Sequence, residues 1–166
     1  SLMQVKKEIE YMMSLVEKNI GLSFYAEETK SIDDGDEIHK NEDIIDFTNT
    51  ALTDFLIKLS VDVEQSDETV IGSYFHVLND LERIGDHAEN FFGIVEDMSK
   101  KKLSFSEQAQ KKIRTMYDKV TKMFSVSRDA FENDDKTLLP KLSEFENDVD
   151  GLKRKLTSEH FTRLAE

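Results

Sequence analysis

Val70, Tyr74, Val77, Leu81, Ile84, Ala88, Phe91 and Val95 follow one another at alternating steps of four and three. No other feature constrains the chain so strongly. The spacing keeps all eight side chains on one face of an α-helix and scatters them across both faces of a strand. Sustained over the whole run, it predicts antiparallel bundle packing. Ser66-Asp67 opens this helix, with Asp67 as its N-cap. Further stripes flank it. Val5, Ile9, Met12, Val16 and Ile20 predict a first helix over about Met3 to Tyr25. The acidic turn Asp33-Asp34-Gly35-Asp36 leads to a second helix, Glu37 to Ser60, with Ile38, Ile45, Leu52, Phe55 and Leu59 inward. Asp97 to Ser104 reads as a connection, and Ser106 with Glu107 begins a fourth helix that ends near Asn133-Asp134-Asp135. Leu138, Leu142, Phe145, Val149, Leu152 and Leu156 predict a fifth over Thr137 to His160.

Composition agrees with an all-α, antiparallel helical bundle. A chain of 166 residues with one Pro (Pro140) and 6 Gly lacks the turn residues of an all-β fold. It has no Cys, which excludes disulfides, thiolate zinc sites, iron–sulfur clusters and thiol catalysis. A formal charge of −13 disfavours nonspecific binding to nucleic acid or anionic lipid. No stretch approaches a membrane span, and no signal peptide is visible. His39, His76, His87 and His160 have no nucleophile motif around them, and there is no Gly-rich phosphate loop. The chain is therefore expected to bind and not to catalyse.

Shifted by 104 positions, the sequence partly matches itself without a gap. Gln4 meets Gln108, Ile9 meets Ile113, Met12 meets Met116, Val16 meets Val120, Glu42 meets Glu146, Asp46 meets Asp150 and Leu52 meets Leu156. Two amphipathic helices score above chance in any case, but this register holds through two helices and the turn between them. Helices one and two would then be duplicated as four and five. The third helix closes the first unit (residues 3–100), and the second unit (104–166) looks one helix short. Either the chain stops early or a partner covers the open side, and that groove would promote homodimers. Ser1-Leu2 ahead of Met3 resembles a vector remnant.

Asn79-Asp80-Leu81-Glu82-Arg83-Ile84-Gly85-Asp86-His87-Ala88-Glu89-Asn90 is the most unusual segment. Glu82 and Asp86 are four apart and share a helix face, opposite the Leu81–Ile84–Ala88 seam, so they are expected to be accessible. Like charges at that spacing destabilise a helix by roughly 0.2–0.5 kcal/mol, and a cation between them reverses the sign. Glu42 with Asp46 and Glu146 with Asp150 repeat the pattern on helices two and five. Three such pairs on adjacent helices can face one another as oxygen ligands for hard or borderline cations. Asn79, His87 and Glu89 are additional or supporting candidates. The plainer alternative is an acidic stripe that only meets solvent. His87 alone is expected on the surface, and Arg83 is expected to pair with a neighbouring carboxylate. Gly85 in mid-helix costs about 1 kcal/mol relative to Ala, and its expected reason is close approach by another helix or a ligand.

Leu81-Glu82-Arg83-Ile84-Gly85-Asp86-His87-Ala88 closely resembles the signature helix of PhoU-type proteins, associated with bacterial phosphate uptake. The flanking His76 to Asp80 and Glu89-Asn90, with Glu159 to Leu164, look most like the soluble C-terminal domain of the Na/Pi cotransporter family. The resemblance implies a PhoU-type bundle of two three-helix repeats. It also implies multinuclear iron or zinc clusters on Glu82 and Asp86, Glu42 and Asp46, and Glu146 and Asp150. The function it implies is that of a regulatory, metal-binding domain of a sodium-dependent phosphate transporter. Such a domain lies on the cytoplasmic side of the membrane, partnered by a transmembrane portion of the same or another chain. Two alternatives stand beside it: a free-standing PhoU regulator of a phosphate ABC transporter, and a structural helical adaptor whose carboxylates only solubilise it.

Overall fold

A computed structural model describes residues 1–62, 65–158 and 161–163. The first helix, α1 (Leu2–Thr29), opens on Ser1, whose Oγ accepts from the Gln4 amide at 3.4 Å, and closes on Lys30 in the left-handed region at φ 59°. α2 (Gly35–Leu59) runs into a short 3-10 turn at Ser60–Asp62. α3 (Gln65–Lys100) is the longest element. α4 (Glu107–Asn133) is capped by Ser106, whose Oγ accepts from the Ala109 amide at 3.1 Å. A 3-10 turn at Leu139–Lys141 precedes α5 (Leu142–Ser158). Two short strands, β1 (Leu103–Phe105) and β2 (Phe161–Arg163), pair antiparallel with Phe105 opposite Phe161. The architecture is an all-α bundle with this one small ladder.

α3 is the axis of the packing, since α1, α2, α4 and α5 all contact it. Its stripe supplies much of the core. Leu81, Ile84, Ala88 and Phe91 are fully buried beside Ile9, Met12, Ile38, Ile45 and Met116. Phe91 stacks on Phe24 with centroids 4.3 Å apart. One polar pair sits inside this apolar layer. The buried Asn41 Nδ2 donates to Asn19 Oδ1 at 3.0 Å, and Asn19 Nδ2 donates to the Ile38 carbonyl at 3.0 Å. Buried amides that satisfy one another fix one register of α1 against α2. They also fix the placement of Glu42, the next residue.

Several expected boundaries move. Phe55 is exposed and Leu56 is buried instead. Leu56 lies eighteen residues after Ile38, which is five whole turns at ~3.6 residues per turn, so it falls in line with Ile38. Val70 and Leu138 are also partly exposed, with Ile71 buried at the start of α3. Asp67 lies inside the first turn of α3 and is not its cap, although its charge still suits a helix N-terminus. α5 starts at Leu142, not Thr137. Pro140 lacks the N–H that an interior helix position donates, so it is accommodated in the first turn of the short 3-10 helix and α5 begins after it. The residues expected to end the fifth helix, Glu159 and His160, lie outside the described residues. β1 falls in the segment read as a plain connection. Met12, Met13 and Met116 are core packing, as expected. Truncating Phe91 to Ala is expected to cost about 3–5 kcal/mol, the range for a large buried aromatic, measured by urea denaturation.

Candidate metal centre

The acidic pairs meet at the packing of α2 and α5 on α3. Oxygens of Glu42, Asp46 and Asp86 lie within 4.8 Å of one another. A second group, His87, Glu146 and Asp150, meets the same limit. Asp86 and His87 are consecutive, so one turn of α3 serves both groups. Glu82 joins the first group through its carboxyl neighbours Asp86 and Asp46. Glu89 turns to His39, whose Nδ1 is 2.9 Å from Glu89 Oε2. Asn79 is exposed.

Gly85 explains how α2 comes so close. A Cβ built there would lie 3.0 Å from Glu42 Oε2 and 3.7 Å from the Ile45 side chain. The expected close approach at Gly85 is therefore that of another helix, α2. This packing also corrects the expectation of open carboxylates. Glu42 is only 2% exposed, and Glu82 and Asp86 are half-buried, because the face opposite the core seam is covered by α2. His87, expected on the surface, is 3% exposed. Its Nε2 lies 2.6 Å from Glu146 Oε2, and α5 covers it. Arg83 Nε reaches the same carboxylate at 3.9 Å, as a neighbouring pair was expected to.

The electrostatics of the first group are unbalanced. No N–H or hydroxyl donor reaches either oxygen of Glu42, whose polar neighbours are the carboxyls of Asp86 and Asp46, and in the second group His87 Nδ1 has no partner. Burial pushes the Glu42 carboxyl up to about 10, with Asp86 and Asp46 adding to the rise. Glu82 rises to about 7, by burial first and then by Asp86. Asp46 rises for the same two reasons. Asp80 rises to about 6 through burial, opposed by Arg83 and His76. Unpaired buried oxygens are expensive in any fold, and a cation is the partner that satisfies several at once. The donor set is mainly carboxylate oxygen with one imidazole, which suits hard or borderline ions. These residues fit a metal: Glu42, Asp46, Asp86 and Glu82 at one group, and His87, Glu146 and Asp150 at the other. A groove of about 830 Å³ between α1 and α4 contains none of them. Sequence reasoning missed the Asn19–Asn41 pair, since two polar residues on helical stripes carry no signal of mutual contact.

A helical bundle with carboxylates from separate helices gathered against a central one defines the class, an all-α bundle domain. The chain belongs to the PhoU domain family, whose profile matches residues 9–95 and 113–166. It is similar to the phosphate-specific transport system accessory protein PhoU homolog of Aquifex aeolicus, 26% identical over 169 residues, 98% of this chain and 73% of that protein. The crystal structure of PhoU from Pseudomonas aeruginosa has the same fold, with a TM-score of 0.74 at 23% identity, covering 95% of this chain and 76% of that one. These relatives overturn the reading of the chain as a cotransporter domain, because they are PhoU proteins and the likeness runs through almost the whole chain. That reading rested on the flanks, His76 to Asp80, Glu89-Asn90 and Glu159 to Leu164, whereas the octapeptide speaks only for the bundle. Leu81, Ile84 and Ala88 pack the core, Gly85 admits α2, and Glu82, Asp86 and His87 serve the acidic groups. Those residues report on the bundle and carry no information about a membrane half. Among the described residues, no helix is long and apolar enough to cross a membrane.

The raised carboxyls set a pH dependence with a definite sign. The unfolded chain releases the Glu42 and Glu82 protons near 4.5, whereas the folded protein keeps them to about 10 and about 7. The native state then binds more protons, so stability falls as pH rises through that window. Metal-free protein should melt at lower temperature at pH 8 than at pH 5, and Glu42→Gln should flatten the decline. A melting temperature that rises over this interval in metal-free protein contradicts the assignment.

Proposed function

We propose that the chain is a PhoU-type regulator of a phosphate transport system that works by binding, with metal ions held on the acidic groups of α2, α3 and α5. Family membership supports the phosphate-transport setting. The named role of the Aquifex relative, accessory protein of a phosphate-specific transport system, supports a partner among the components of such a system. One observation carries the metal reading: both oxygens of Glu42 are buried without a partner between Asp46 and Asp86. Iron and zinc are the candidates that the donor set and the family suggest. A cation would supply charge compensation for carboxylates that otherwise retain protons; Glu42, Asp46 and Asp86 of α2 and α3 would hold it at one group, and His87, Glu146 and Asp150 of α3 and α5 at the other. This chain's residues thereby set the relative placement of the three helices, and the surface a partner meets follows from that placement.

Elemental analysis of the purified protein tests this directly. A transition metal should be present and should be lost in the Glu82→Ala, Asp86→Ala double variant. Restoring metal at about a hundredfold over its dissociation constant stabilises a native state by ~2.7 kcal/mol, or about 5–10 °C for a domain of this size. Absence of metal, with no change in melting temperature on adding iron or zinc, leaves the adaptor reading in its place. Gly85→Ala gives a finer check. The new methyl meets Glu42 Oε2, while Ala gains about 1 kcal/mol of helix propensity. The metal-free fold should change little in stability, and metal affinity should drop.

A further inference from the structure

The two acidic groups differ in the cations beside them. Among the described residues, no Lys, Arg or His forms an ion pair with Glu42, Asp46, Glu82 or Asp86 of the first group. In the second group each carboxylate has a cation of its own. Arg83 Nε lies 3.9 Å from Glu146 Oε1, and Lys153 Nζ lies 3.5 Å from Asp150 Oδ1. Both separations exceed the roughly 2.7–2.9 Å of a charge-assisted hydrogen bond. Neither side chain donates a hydrogen bond among the described residues, so the guanidinium and ammonium donors are unspent. Solvent reaches both, since the side chain of Arg83 is 47% exposed and that of Lys153 18%.

Formal charge separates the groups further. Arg83 and Lys153 balance Glu146 and Asp150, and His87 must be neutral to act as a ligand. A divalent ion on His87, Glu146 and Asp150 then leaves two positive charges in excess, or one when Asp80 is counted, whose carboxyl interacts with both Arg83 and Glu146. The four carboxylates of the first group remain in excess over one such ion. We propose that a metal ion at the second group seats hydrogen phosphate, held between the ion and the donors of Arg83 and Lys153. The inference rests on the metal reading of that group. Carboxylate oxygens spent on an ion no longer compensate the two side chains, which turn to an anion instead. The planar fork of Arg83 matches two oxygens of a tetrahedral oxyanion, and Lys153 adds a compact charge. Asp80, half-buried and without a hydrogen bond among the described residues, is an acceptor for the phosphate hydroxyl, which sulfate lacks.

The test dialyses zinc-loaded, desalted protein to equilibrium against radiolabelled inorganic phosphate, with zinc measured by elemental analysis in the same samples. The zinc-loaded parent should bind phosphate, the metal-free parent should bind it at least about tenfold more weakly, and sulfate should compete poorly. Arg83→Gln and Lys153→Gln should each keep their zinc, because losing a nearby positive charge does not weaken a cation site. Each should lower phosphate affinity about tenfold or more. Lys122→Gln makes the same charge change at an exposed position with no ion pair among the described residues, and should bind phosphate as the parent does. Zinc retained without phosphate overturns the proposal and leaves the metal reading standing. Equal phosphate affinity in the parent, Arg83→Gln and Lys153→Gln does the same, as does equal affinity in metal-free protein. A parent that takes up no zinc overturns both.

Discussion

Everything distinctive in this bundle depends on how closely α2 can lie against α3. A carbon added at position 85 would meet Glu42 Oε2 at 3.0 Å, closer than ordinary contact, and would lie against Ile45 at an ordinary 3.7 Å. Glycine removes that obstacle in the middle of a 36-residue helix, at an intrinsic cost of about 1 kcal/mol. The core on either side, Leu81, Ile84 and Ala88 against Ile38 and Ile45, holds the contact shut. Close packing then forces an electrostatic problem, because the carboxylate of Glu42 is carried inside with the helix that bears it.

The fold meets that problem from both sides. The Asn19–Asn41 pair locks α2 in register, so Glu42 cannot escape by a slip of the helix. Asp46 and Asp86 crowd the same space, so deprotonation is opposed by charge as well as by desolvation. Protons relieve such a site, and a cation would have to displace them to bind there. The second group differs in kind. There His87 already contacts Glu146, and Arg83 approaches from outside, so part of its charge is balanced within the protein. The two groups share one turn of α3 yet have different needs for a ligand.

Much of this was legible beforehand, and the limits have physical causes. The four-and-three spacing from Val70 to Val95 announced α3, and its middle residues are core. The pairs at 42/46, 82/86 and 146/150 were visible as spacings, but no spacing says which helix faces covered ground. Glu82 and Asp86 looked solvent-facing because helical periodicity orders residues around one helix and is silent about a second helix on the far side. His87 was misread for the same reason. The octapeptide identified the family, and the flanks His76 to Asp80, Glu89-Asn90 and Glu159 to Leu164 misled about the branch.

Diffraction from crystals grown with iron or zinc, recorded at the absorption edge of the metal, tests the central claim most directly. The account predicts anomalous peaks at about 2.0–2.6 Å from carboxylate oxygens of Glu42, Asp46 and Asp86. Peaks confined to the crystal surface, with Glu42 hydrogen-bonded to a protein donor and the three carboxylates apart, would contradict it.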